Sequence, residues 1–273
     1  MKTLIGKLGY LFLMNDESKE LDIHCNNFCS IRDLTLSQYT FKKYLLFVYP
    51  DKSYLYSKYL PDNYSATYRP SFDIYKQKFK ENCINLLDCL NGDVYYKTDT
   101  HINFKGSSFV YKSFIETVNN LFQLNIKIKH LTIEKKIGAL SPLLGIGDLT
   151  WPDNLGNQVI DTTDTFYFDS NYSFYCTYVI INGPIRFLDY SLTDKTVSLQ
   201  NNVVSWDIIS NSIIYIYNKG PKVLIFYDSF LLQSISLYFD LFEVYFVKSV
   251  YDNAFIDKIK PDYVFEFRIE RFL

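Results

Sequence analysis

The chain has 273 residues, room for one large domain or two small ones, and 48% of them are apolar, enough to bury a core without covalent staples. Its formal net charge of −2 supplies no clustered basic surplus and argues against nucleic acid as a partner. Tyr and Phe are abundant, at 25 and 23 copies; most are expected in the core, and exposed tyrosines would also suit a sugar-binding groove.

The first twenty residues read as two short strands, TLIG and YLFL, around Gly9. Lys7 interrupts the apolar opening and no small-residue cleavage site precedes Asp16 and Glu17, so no secretion signal is expected. No window reaches the roughly 20 apolar residues of a membrane span, and the chain is expected to be soluble and cytoplasmic. A helical stretch near 35–44 leads into YLLFVYP (44–50), a buried strand closed by Pro50. Apolar residues at Phe72, Ile74, Tyr75, Phe79, Ile84, Leu86, Leu87 and Leu90 predict an amphipathic helix that starts at Ser71 or Asp73 and ends before Gly92. DVYY (93–96) reads as a strand, followed by the segment KTDTHIN and a helix over about 107–122. Strand, helix, strand, turn and helix in that order imply an α/β sheet with parallel strands.

From about 124 to 212 the pattern changes. Glycines and prolines in GALSPLLGIGDLTWPDNLGN give way to alternating stretches such as TFYFD, SFYCTYVII and TVSLQ, which suggests a β-rich insertion or lid. The last sixty residues return to α/β form: IIYIYN, KVLIFYDSF, a helix over about 230–240, EVYFV, a short helix near 251–259 and DYVFEF. Continuous apolar runs such as VLIF suit parallel strands covered on both faces. No internal repeat or linker marks a boundary, so 1–273 is read as one domain with the insertion at 124–212.

Cysteines 25, 29, 83, 89 and 176 lack metal-site spacing. Cys25 and Cys29 lie near His24, but no second ligand pair follows, so no metal is expected and reduced thiols are. His24 and His130 have no chemical context. Lysines in EKK (134–136) read as a solvated face, and LLGIGDL lacks the lysine of a phosphate loop.

The strand KVLIFY ends in Asp228 and Ser229, where a helix is expected to begin. Ligands of open α/β sheets bind beyond the carboxyl ends of the strands, so Ser229 would face a cleft, with a helix N-terminus to stabilise an oxyanion. A serine hydroxyl needs a base and the base needs an orienting group. Asp99 and His101, two positions apart, could supply both, although Ser229 could also serve only as a helix cap. Asp228 is read as bonding local backbone.

Six blocks carry a resemblance: IGKLGYLFLMND (5–16), VYPDKSYLYSKYLP (48–61), VYYKTDTHIN (94–103), GDL (147–149), LIFYDSF (224–230) and KPDYVFEFRIERFL (260–273). Together they resemble the SGNH-hydrolase-like sugar O-acetyltransferases of the AlgX/AlgJ type, named for alginate acetylation. The resemblance implies a flavodoxin-like α/β three-layer sandwich with a parallel central sheet and permuted catalytic blocks. It implies Ser229 as nucleophile, His101 as general base, Asp99 as its orienter and the Ser229 backbone N–H in an oxyanion hole. Asn103 and Arg271 match positions of support or substrate contact. Two residues depart from the pattern. Tyr227 stands where glycine is common, which bears on the shape of the pocket, and Ile102 stands where the signature has tryptophan.

The function implied is transfer of an acetyl group, through a serine acyl-enzyme, onto a hydroxyl of a bacterial capsular or other surface polysaccharide. Acetyl-CoA is the expected donor if the protein is cytoplasmic. An acetyl esterase with the same triad and a non-catalytic carbohydrate-binding relative are the alternatives.

Overall fold

The computed structural model describes residues 2–14, 17–29, 39–128, 131–137, 147–150, 162–168, 175–182, 191–198, 212–216, 219–239 and 241–273. In chain order the elements are β1 (Lys2–Ile5), β2 (Leu11–Met14), α1 (Glu20–Asn26), β3 (Tyr44–Tyr49), α2 (Lys52–Leu55), α3 (Pro70–Phe79), β4 (Cys83–Asn85) and α4 (Phe104–Phe122). They continue with β5 (Leu131–Ile137), β6 (Thr162–Phe168), β7 (Tyr175–Asn182), β8 (Ser191–Ser198), β9 (Ser212–Ile216), β10 (Lys222–Tyr227), β11 (Glu243–Val247), α5 (Asn253–Ile259) and β12 (Tyr263–Ile269).

The fold is mixed α/β around an eight-stranded sheet of order β4-β3-β12-β10-β11-β9-β7-β8. The run from β4 to β11 is parallel, and β9, β7 and β8 extend it antiparallel. All six residues of β3 are buried, as are the last five of β10, which is why these strands read as unbroken apolar runs. Their side chains alternate between two clusters. Leu45, Phe47, Tyr49, Ile225, Phe265 and Phe267 pack with Val110, Tyr111, Phe114 and Val118 of α4. Tyr44, Leu46, Val48, Leu224, Phe226 and Val264 pack with Phe72 and Tyr75 of α3 and Phe255 and Ile256 of α5. Ring contacts fix the first cluster: Phe47 stacks on Phe267 at 4.8 Å, and Phe114 meets Phe265 edge-on at 5.2 Å.

Several boundaries differ from the sequence reading. Of the helical stretch near 35–44, residues 35–38 lie outside the described residues, 39–43 are loop and turn, and Tyr44 already belongs to β3. The amphipathic run from Ser71 to Leu90 is not one helix. Lys80 turns to φ 51°, and Cys83–Asn85 then pairs with β3. The DVYY segment makes only an isolated bridge, Tyr95 to Ile102, because the chain doubles back to close a loop. The helix expected over 230–240 is a 3-10 run, Leu232–Tyr238. Its tighter bonding shows in Ser234 N–H donating to Leu231 C=O at 3.0 Å, three residues back. Within 124–212, β6 pairs with β5 as a separate ribbon while β7 and β8, with β9 just beyond, add to the edge of the main sheet.

Candidate active site

The loop between β4 and α4 is tied at its neck. Asn103 caps α4 by accepting from Gly106 N–H at 3.0 Å. Its Nδ2 donates to Asp93 C=O at 3.0 Å and Tyr95 C=O at 3.4 Å, and its N–H donates to Val94 C=O at 2.8 Å. The Lys52 ammonium, buried at the start of α2, donates to Lys97 C=O at 2.9 Å and Asp99 C=O at 3.0 Å. These bonds hold the backbone so that residues 99 and 101 project on one side.

There the Asp99, His101 and Ser229 side chains form one line. His101 Nδ1 lies 2.6 Å from Asp99 Oδ1, which also accepts the His101 backbone N–H at 2.9 Å. His101 Nε2 lies 2.9 Å from Ser229 Oγ. An ionised carboxylate only accepts, so the Nδ1 proton faces Asp99 and the Nε2 lone pair faces the hydroxyl. Burial opposes a charge on His101, but the charge and hydrogen bond of Asp99 outweigh it and raise the pKa above the usual imidazole value. The His101 side chain keeps 12% exposure, and Ser229 is partly exposed, so both can be reached from outside.

Ser229 owes its place to Asp228. That carboxylate accepts from Phe230 N–H at 2.9 Å and from Ile269 N–H at 2.6 Å, pinning the turn after β10 to the end of β12. Asp228 therefore braces the turn, through one local and one distant backbone N–H. Because a 3-10 run follows in place of an α-helix, the dipole argument for oxyanion stabilisation loses most of its force. Among the described residues, no hydrogen-bond acceptor takes the Ser229 backbone N–H.

The remaining candidates lie further out. Tyr227 is buried in the core: its ring lies edge-on to Phe246 at 6.2 Å, and its hydroxyl has no partner among the described residues. Ile102 is fully buried in the core as well. Arg271 makes no hydrogen bond to the triad. It donates to Glu20 at 3.0 Å and to Asp51, and its guanidinium lies 5.4 Å from the Phe230 ring. That ring in turn sits 4.8 Å from the imidazole of His101. Asp51 also receives His24 Nε2 at 2.9 Å, so a buried ionic network lies behind the site.

Sequence reasoning missed the network, and it saw Lys52, Phe230 and Asp148 only as parts of matching blocks, without a role for any of them. Asp148 stands beside the dyad, its Oδ2 3.7 Å from His101 Nδ1. Asp99, His101 and Asp148 each offer a ligand atom within 4.8 Å of the others, a spacing that could hold a cation. The donor pattern fits protons better. Asp148 already accepts from Thr100 N–H at 2.8 Å and Thr100 Oγ1 at 2.6 Å, and Asp99 from three N–H groups. Cys25, Cys29, Cys83 and Cys89 are free thiols; His130 lies outside the described residues, as does the Cys176 side chain.

No protein-family model matches the chain, and no curated protein does. Solved structures do match in fold. A DHHW family protein from Eubacterium siraeum is 17% identical with a TM-score of 0.59, over 99% of this chain and 94% of that one. PatB1 from Bacillus cereus is 14% identical with a TM-score of 0.61, over 97% and 94%. The O-acetyltransferase domain of Pseudomonas putida AlgJ is 15% identical with a TM-score of 0.52, over 99% and 91%. The shared feature is the mixed α/β fold with its mostly parallel central sheet.

Proposed function

We propose that the protein is an O-acetyltransferase of SGNH type, a three-layer sandwich whose acceptor is a hydroxyl of a surface polysaccharide. The observation that carries this reading is the unbroken line from Asp99 through His101 to a partly exposed Ser229. The fold shared with an O-acetyltransferase domain supports it.

In the first half-reaction Ser229 Oγ attacks the acetyl carbonyl of the donor, for which acetyl-CoA is the cytoplasmic choice. His101 Nε2 takes the hydroxyl proton, the thioester C–S bond breaks, and the proton passes to the leaving thiolate. In the second half, the acceptor hydroxyl gives its proton to Nε2 as its oxygen attacks the acyl-serine, the acyl C–Oγ bond breaks, and that proton returns to Ser229 Oγ. Asp99 holds the imidazole in the required tautomer and stabilises its charged form throughout. The Ser229 N–H would face the developing oxyanion. Asn103, Asp228 and Arg271 would act at a distance, by holding the loops that carry the triad.

Intact-mass spectrometry after incubation with acetyl-CoA tests the proposal. One added acetyl group on Ser229 is expected, with none on Ser229→Ala. Addition of an acetylatable oligosaccharide should move the label to the sugar. Undiminished transfer by Ser229→Ala sinks the reading, and release of free acetate alone in abundant acceptor makes the protein an esterase.

A further inference from the structure

Asp148 lies about fifty positions beyond His101 in the chain, yet it is built into the same site. The turn that carries it is seated directly on the dyad loop. Leu149 N–H donates to Thr98 C=O at 3.1 Å, and a Cβ on Gly147 would stand 2.1 Å from that same oxygen, so only glycine allows this approach. Thr150 closes the turn by donating from N–H and Oγ1 to Gly147 C=O at 3.0 and 2.7 Å. Thr3 Oγ1 anchors it to β1 through Leu149 C=O at 2.6 Å.

The turn delivers two groups. The Asp148 backbone N–H points to Asp99 Oδ2 at 3.3 Å, the oxygen that His101 does not use. The Asp148 carboxylate takes both donors of Thr100, the residue between Asp99 and His101, and lies 3.7 Å from the Nδ1 edge of the imidazole. We propose that Asp148 is a positioning residue of the proton relay, a second carboxylate that sets the angle of Asp99 and shares the charge of the imidazolium formed in each half-reaction. The proposal rests on the reading of His101 as general base.

Both half-reactions pass through a state in which His101 holds two protons, so negative charge near the ring lowers the energy of that state. The charged groups facing the imidazole are Asp99 on its own loop, Asp148 on the 147–150 turn and, with the opposite effect, Arg271 from the C-terminal segment. The Asp148 carboxyl lies above the usual carboxylate value, because burial and the Asp99 charge outweigh the pull of His101 and the two Thr100 donors toward the ionised form.

The test uses the whole chain and two variants. Asp148→Asn keeps the backbone N–H and one acceptor for Thr100 but removes the charge; Asp148→Glu keeps the charge. The His101 ring is titrated by NMR, its signals assigned with His101→Gln, and thermal melting confirms that each variant is folded. The Asn variant should lower the His101 pKa by about one unit, the low end of what a charge at 4–6 Å produces. The Glu variant should stay near wild type. The acid limb of the kcat profile should move down with the Asn variant, and kcat should fall about tenfold with KM little changed. An unmoved His101 pKa in the Asn variant overturns the proposal, and so does an equal shift in both variants, which would leave geometry without charge sharing. The titration needs no substrate, so a protein that fails to acetylate would refute the proposed function while leaving this result standing.

Discussion

His24 supplies the most quantitative consequence of the structure. Its imidazole is fully buried, with Nε2 2.9 Å from Asp51 Oδ2 and Nδ1 2.8 Å from Tyr68 C=O. Both neighbours are acceptors, so only the doubly protonated ring satisfies both. Burial works against that charge, but the hydrogen bond and charge of Asp51 outweigh it, and the pKa rises from 6.5 to about 9. A raised basic group contributes stability that is complete below the unfolded pKa and is lost as pH climbs through the folded one. The window is therefore pH 6.5 to about 9, and at 1.36 kcal/mol per unit the loss approaches about 3 kcal/mol. At roughly 2–4 °C per kcal/mol for a chain of this size, the melting temperature should fall by about 6–12 °C across that window. Thermal unfolding followed by circular dichroism from pH 6.5 to 10 reads this directly. His24→Gln should start lower and lose most of the slope. His101, also raised, contributes in the same sense, and His101→Gln measures its share. A wild-type melting temperature that is flat from pH 6.5 to 9, or a His24→Gln slope equal to wild type, refutes the reasoning.

Gly147→Ala should cost tenfold or more in kcat/KM, because the added methyl must displace the turn from Thr98 and with it the brace on Asp99; steady-state rates at wild-type level would contradict this. Tyr227→Phe removes a buried hydroxyl that has no partner among the described residues, so the melting temperature should hold or rise slightly while activity is retained. A large activity loss there would give the Tyr227 hydroxyl a part in the site.

The parts legible in the sequence were those fixed by local pattern. Strands such as YLLFVY and VLIF stood out because burial on both faces leaves no polar position to obscure them. Asp99 and His101 were legible because a short i, i+2 spacing in a loop needs little tertiary information to place two side chains together. The stretch from Ser71 to Leu90 misled because its apolar residues serve successively a helix, a strand edge and a turn, and their summed spacing imitates one long helix. The 3-10 run after Ser229 was misread for a related reason, since apolar spacing does not distinguish bonding three residues back from four. Asp148 and Lys52 fell inside matching blocks, but periodicity and spacing gave neither a role. Lys52 donates to the carbonyls of Lys97 and Asp99, and Asp148 accepts from Thr100 N–H and Oγ1 while its own N–H donates to Asp99 Oδ2, all across 45 to 49 positions; such contacts leave no periodic trace.

Ile102, where the resembled signature has tryptophan, shows how a departure from a pattern can be separated from the chemistry. Ile102 turns inward and is fully buried, bridging its backbone to Tyr95 at the neck of the loop. The aromatic face against the imidazole comes from Phe230, the residue immediately after the serine, held between Tyr49, Tyr95 and the Arg271 guanidinium. Because Phe230 N–H is also fixed by Asp228, the ring that backs the imidazole and the hydroxyl that faces it belong to one braced turn. The distance between Oγ and Nε2 is thus set by the packing of Phe230 against His101 together with the hydrogen bond, and position 102 bears on loop folding more than on proton transfer.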